Sequence, residues 1–106
     1  MARIVALGPG EELMPYLAMG AELHEARGAA EVAQALADLS RDKSVAVLLL
    51  PEGQAEQVSG AVGGFRSRSA AALLVLPEAG GARGLALAEV KRFLERAIGV
   101  DLIGKE

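Results

Sequence analysis

The chain has 106 residues, of which 52% are hydrophobic and only 3% are aromatic, so it is long enough for one domain whose core is built from Ala, Val, Leu and Ile. A formal net charge of -3 argues against nucleic-acid binding, because phosphate contacts require clustered Lys and Arg. The sequence has no cysteine, which excludes disulfides, thiol nucleophiles and zinc–thiolate sites and is typical of a reducing, cytosolic setting.

The first part of the chain predicts a strand, a helix and a second strand. Residues 4–7 are a continuous apolar run closed by glycine and proline, which is the pattern of a strand buried on both faces. A helix follows as far as Gly20. Because proline disrupts a helix interior, either this helix begins near Met14 with Pro15 in its first turn, or an earlier turn is separate and irregular. Residues 21–26 alternate weakly and are polar, which predicts an edge strand.

The middle of the chain predicts two helices and two further strands. Residues 28–39 have the spacing of an amphipathic helix, and residues 45–50 and 71–76 are apolar runs that each end at a proline. Residues 52–65 predict a third helix that frays after Val62, because three glycines weaken it, and residues 66–69 predict a polar turn.

The C-terminal part predicts a hinge and a last helix. Residues 77–84, PEAGGARG, are rich in glycine, and residues 85–98 place apolar side chains on one helical face and charges on the other. We therefore divide the chain into an α/β globular domain, residues 1–78, and a hinge with a C-terminal helix, residues 79–106. That helix can also pack on residues 1–78 to form a single domain.

Apolar strands that alternate with amphipathic helices predict an α/β fold. We expect an open four-stranded parallel sheet in the order 2-1-3-4, of the flavodoxin or receiver-like type, with helices on both faces. No apolar run reaches the eighteen or so residues that a membrane-spanning helix needs, so we expect no direct membrane insertion.

The carboxyl ends of the predicted strands, where open parallel sheets bind ligands, carry little recognisable chemistry. Gly8 and Gly10 begin a G-x-G pattern, but Leu13 stands where the third glycine of a dinucleotide-binding motif belongs. A phospho-receiver domain needs an aspartate after its third strand, where this chain has Pro51 and Glu52. We therefore expect no cofactor, no metal ion and no catalytic residue.

A few polar side chains are weak candidates for chemistry. His24 is the only histidine and has no companion with metal-ligand spacing. Glu52 and Glu78 follow strand ends and could act as a carboxylate pair, although each follows a proline in a position typical of solvated acids. The residues on their own indicate a small binding module rather than an enzyme.

Residues 94–102 read L-E-R-A-I-G-V-D-L and resemble the C-terminal signature of the F subunit of the V-type and A-type rotary ATPases, in which a helix ends in A-I-G-x-D. Weaker similarity extends along the chain, through the opening strand at residues 2–7, the third strand and following helix at residues 48–56, and the fourth strand at residues 72–77. One departure is Leu17, which stands where the family has an arginine.

The resemblance implies a non-catalytic central-stalk, or rotor, component that binds the D subunit and couples or regulates ATP hydrolysis or synthesis with ion transport. Such a component is cytoplasmic and peripheral to the membrane through the ATPase complex. The catalytic A and B subunits are further candidate contacts of the C-terminal helix, which shifts relative to the globular part in this family. On that helix we expect three apolar partner contacts and two steering charges, namely Val90, Leu94 and Ile98, and Arg92 and Arg96.

Two alternatives stay open at this point. A receiver-like or small-ligand-binding signalling domain would have the same layered order of strands and helices. A homodimer formed through the apolar stripe of the final helix is the other.

Overall fold

The structure is a computed structural model, and it describes residues 2–77 and 91–96. Residues 91–96 are helical. The remaining elements, in chain order, are β1 (Arg3–Gly8), α1 (Gly10–Leu17), β2 (Glu22–Glu25), α2 (Gly28–Leu39), β3 (Val45–Pro51), α3 (Glu52–Gln57), α4 (Ser59–Arg68) and β4 (Ala72–Leu76).

The four strands form one sheet in the order β2-β1-β3-β4, with every neighbouring pair parallel. This confirms the predicted α/β fold and strand order. The central strands β1 and β3 are apolar and buried along most of their length because both of their faces are covered by helices, and the apolar strand β4 lies at one edge of the sheet. The polar strand β2 lies at one edge, as predicted, although it is shorter than the predicted residues 21–26.

Each face of the sheet has its own hydrophobic cluster. One cluster packs the sheet against α2 and α4, and its largest buried side chain is Phe65. The other packs α1 against the opposite face through Leu13 and Tyr16, and it also includes Leu94 from the helical segment 91–96. Each such side chain contributes about 1.5–3 kcal/mol when it is removed from water, so both faces matter to stability.

The expectation for Pro15 was wrong, because this residue lies inside α1 rather than in its first turn. The helix begins at Gly10, directly after Pro9 in an extended conformation. Pro15 costs the one hydrogen bond that an N–H at this position would donate to the carbonyl of Glu11. Since Leu13 and Tyr16 are buried against the sheet, their packing offsets that loss.

The predictions of one helix over residues 52–65 and of a turn at residues 66–69 were wrong. The structure has two helices in this part of the chain, α3 and α4. The break falls at Val58, with φ -132° and ψ 43°, and not at the glycines. After the break α4 continues to Arg68, so Arg66 and Ser67 are helical. Val58 at the break and Phe65 in α4 are both buried in the same cluster.

The predicted hinge and most of the predicted C-terminal helix lie outside the described residues, which include only Pro77 and residues 91–96 of this part of the chain. In the described ranges, no helix is both long and apolar enough to cross a membrane.

Candidate functional site

The carboxyl ends of β1 and β3 meet where the chain connections diverge to opposite sides of the sheet, which is the usual ligand position in this architecture. Gly8 ends β1 with a φ of +143°, a conformation that L side chains rarely adopt. A Cβ added to Gly8 would lie 3.3 Å from Cδ of Pro51 and 3.5 Å from Cδ1 of Leu13. Apolar atoms of both residues therefore closely approach the end of β1.

Charged groups gather instead at the carboxyl ends of β1 and β2, around Arg27. The guanidinium donates two hydrogen bonds to Glu11, at 2.9 Å from Nη1 to Oε2 and 2.7 Å from Nη2 to Oε1. Its Nη2 also lies 2.8 Å from Oε2 of Glu25. The backbone N–H of Arg27 donates to Oε1 of Glu31 at 2.8 Å, which satisfies a free donor at the start of α2. We call Glu11, Glu25, Arg27 and Glu31 the Arg27 cluster.

The start of α1 lies unusually close to this cluster because Gly10 has no side chain. An added Cβ at Gly10 would lie 3.0 Å from Oε1 of Glu25 and 3.2 Å from Cδ2 of Leu23. Glycine therefore lets the first turn of α1 approach β2, and this brings Glu11 within reach of Arg27.

A second ionic group lies at the opposite, amino end of the same two strands. Nη1 of Arg3 donates to Oδ2 of Asp42 at 2.8 Å and to the Ser44 hydroxyl at 2.7 Å, while Nε donates to Oε1 of Glu22 at 3.1 Å. We call Arg3, Glu22, Asp42 and Ser44 the Arg3 cluster. It ties the loop before β3 to β1 and the edge strand β2.

The ion pairs shift the acidity of the carboxylates that they involve. The hydrogen bonds from Arg27 lower the pKa of Glu11 from 4.5 to about 2. Hydrogen bonds from the hydroxyl and backbone N–H of Ser44, followed by that from Arg3, lower the pKa of Asp42. The charged forms of both acids are therefore the ones that the folded state favours.

The Glu11–Arg27 pair predicts a pH-dependent effect of Glu11→Gln. A folded-state pKa below the unfolded value means that the pair stabilises the fold fully above about pH 4.5, and that this contribution is lost as the pH falls toward 2. We expect Glu11→Gln to lower the urea midpoint modestly at pH 7, because the pair is exposed, and to match the unmodified chain near pH 2.

The matched control for this measurement is Glu12→Gln. Glu12 is the next residue of α1, is exposed, and its carboxylate forms no ion pair with the described residues. A constant difference between Glu11→Gln and the unmodified chain from pH 7 to pH 2 would contradict the assigned role of the pair.

The candidates for chemistry from the sequence, Glu52, Glu78 and His24, do not belong to either cluster. Glu52 is half-buried at the first position of α3, and its proposed companion Glu78 lies outside the described residues. His24 is partly buried on the edge strand β2. Within residues 2–77 and 91–96, no group of three or more metal-ligating side chains is arranged to hold an ion.

The predicted partner-binding residues divide between buried and exposed positions. Leu94 is only 1% exposed and contributes to the cluster on the α1 face of the sheet, and Phe93 packs against that cluster. Arg92 and Arg96 are exposed on the same helical segment. Val90 and Ile98 lie outside the described residues.

Comparison with known proteins leaves the family open. No protein-family model matches this sequence, and no curated protein matches it significantly.

The Arg27 cluster and the approach of Pro51 to Gly8 were not predicted from the sequence. The sequence nevertheless contained the information that predicts the cluster. Glu11 follows the first strand, Glu25 ends the second strand, and Arg27 follows it. The carboxyl ends of neighbouring strands in a parallel sheet lie side by side, so the pattern places these charged residues close to one another.

Proposed function

We propose that this chain is a non-catalytic central-stalk component of a V-type or A-type rotary ATPase, comparable to the F subunit, which binds the D subunit and couples or regulates ATP hydrolysis or synthesis with ion transport. The observation that carries the proposal is the similarity of residues 94–102 to the C-terminal signature of that family. Under this proposal the protein works in the cytoplasm and is peripheral to the membrane through the ATPase complex.

The described residues at the start of this signature support a binding role. Its first residue, Leu94, is anchored in the core, whereas Arg92 and Arg96 on the same segment are exposed to solvent. Exposed arginines contribute to binding mainly by steering a partner of opposite charge and by setting its orientation. The proposed contact with the D subunit therefore uses the charged face while Leu94 holds the segment on the sheet.

Co-expression of the full chain with its cognate D subunit, followed by gel filtration, tests the proposal. We expect one complex at micromolar concentration, and we expect the double charge reversal Arg92→Glu with Arg96→Glu to weaken it about tenfold or more by reversing the steering charges. Two proteins that elute separately would contradict the proposal.

Arg68→Glu is the control for the charge change. Arg68 is exposed at the end of α4, on the opposite face of the sheet from residues 91–96, and its reversal should leave the complex unchanged. Unfolding midpoints of both variants separate a loss of binding from a loss of folding. If the complex fails to form and the chain is instead labelled by acetyl phosphate or stabilised by nucleotides, a signalling domain replaces the stalk component as the proposal.

A further inference from the structure

The edge strand β4 has a wholly apolar sequence. It is the last strand of the order β2-β1-β3-β4, and residues 72–76 read A-L-L-V-L, with neither a charge nor a proline. Its pairing with β3 also runs without a bulge. Proteins normally protect an edge strand with charges, prolines or bulges, because its outward N–H and C=O groups can pair with another chain. Protection of this edge has to come from residues outside β4.

Two prolines determine which residues of β4 direct their backbone groups outward. In a parallel pair, a residue that faces the neighbouring strand bonds to the residues on either side of its partner. Leu76 is the partner of Pro51 and is followed by Pro77. If Pro51 faced β4, the ladder would need N–H groups from Pro51 and Pro77, which proline lacks. Leu76 therefore faces β3, and because the direction alternates along a strand, Leu73 and Val75 direct their N–H and C=O groups outward.

An arginine from the end of α4 occupies this outer edge. Nη2 of Arg66 donates to the outward carbonyl of Leu73 at 3.1 Å. The turn that joins α4 to β4 is fixed by two further hydrogen bonds, from the N–H of Ser69 to the carbonyl of Phe65 at 2.9 Å and from the N–H of Ala71 to Oγ of Ser69 at 3.0 Å. This turn holds the last helical turn of α4, and with it Arg66, beside β4.

We propose that Arg66 is a guard that keeps β4 from pairing with a second copy of the chain. Its guanidinium binds a carbonyl that an added strand would need, and it places a positive charge at the edge of an apolar strand. The inference concerns α4 and β4, and it does not depend on the rotary ATPase assignment.

A second copy fits an unguarded β4 edge because the strand is complementary to itself. Two copies paired antiparallel about a two-fold axis at Leu74 place Leu73 of each copy opposite Val75 of the other. Leu73 and Val75 lie on the same face of the sheet, and every residue of the strand is apolar, so no like charges oppose one another. In this pairing the N–H of Val75 donates to the carbonyl of Leu73 in the other copy, which is the carbonyl that Arg66 binds.

Sedimentation velocity of the full chain tests the role of Arg66. Over about 10 to 500 μM we expect the unmodified chain to stay monomeric and Arg66→Ala to dimerise, with association at least about tenfold tighter. Arg68→Ala is the matched control, because it removes the same charge two residues away. The Arg68 guanidinium lies over Gly64 of its own helix, with Nη1 3.2 Å from the position of an added Cβ, so its loss should leave the chain monomeric.

Val75→Pro, added to Arg66→Ala, tests where the two copies meet. Because Val75 directs its N–H outward, proline removes a hydrogen bond of the dimer and none of the bonds to β3. The double variant should be monomeric again. Urea midpoints establish that each variant is folded. Arg66→Met, which keeps a long side chain but has no donor, replaces Arg66→Ala if alanine lowers the midpoint, with Arg68→Met as its control.

Three results overturn the inference. If Arg66→Ala associates no more tightly than the unmodified chain, the edge is closed without Arg66. If Arg68→Ala dimerises as strongly, the loss of positive charge alone drives association. If the folded double variant remains a dimer, the copies meet elsewhere than at β4.

Discussion

Leu94→Ala is expected to lower the free energy of unfolding by about 2–5 kcal/mol, the range for truncating a buried leucine. Leu94 is 1% exposed and packs with residues of β1 and α1, including Ile4 and Leu13. Removal of the isopropyl end of its side chain leaves a cavity between the helical segment 91–96 and the sheet. Urea unfolding, followed by far-ultraviolet circular dichroism, measures the change.

Arg92→Ala is the matched control, because it truncates an exposed side chain in the same helical segment. Its effect should stay within about 0.5 kcal/mol, as for most surface substitutions. Equal midpoints for Leu94→Ala and the unmodified chain would mean that residues 91–96 do not contribute to the core in solution. The apolar face of this helical segment would then be free to contact a partner. Binding of the D subunit would in that case involve the apolar face as well as the charged face.

Gly8→Ala is expected to lower the free energy of unfolding by about 1–3 kcal/mol, the cost of holding a non-glycine residue in a rarely populated backbone conformation. The φ of Gly8 is +143°, and the new methyl group would also lie 3.3 Å from the ring of Pro51. That ring belongs to the end of the central strand β3, so it has little freedom to move away.

The comparison variant for Gly8→Ala is Gly60→Ala. Gly60 lies in α4, is exposed, and has no atom within 4 Å of the position that a Cβ would take. Alanine there should raise stability by about 0.4–1 kcal/mol, because it restricts the unfolded chain without strain in the folded one. Opposite signs for the two changes are expected in thermal or urea unfolding. A stabilising Gly8→Ala would show that the end of β1 is not held in this conformation.

The candidate sites differ in how far the sequence could predict them. The stripe that contains Leu94 was visible as helical spacing, and the charges of Arg92 and Arg96 were visible on its other face. The helical spacing of the apolar residues is the same whether Leu94 packs on the chain's own sheet or on a partner. Only the tertiary contacts distinguish the two cases. The edge position of β2 was predicted correctly, since the polarity of residues 21–26 indicated an edge strand.

The sequence by itself determined the layered α/β architecture, because apolar strands that alternate with amphipathic helices pair in parallel through crossover connections, and its polar second strand indicated the edge position in the order β2-β1-β3-β4. Tertiary structure alone decided features that join residues distant in the chain. Pro15 lies inside a helix that packs against the sheet, and the predicted third helix is divided in two at the buried residue Val58. Arg27 pairs with Glu11 because the ends of their neighbouring strands lie side by side. Local patterns encode the period of an element, whereas these contacts depend on how the elements are placed in space.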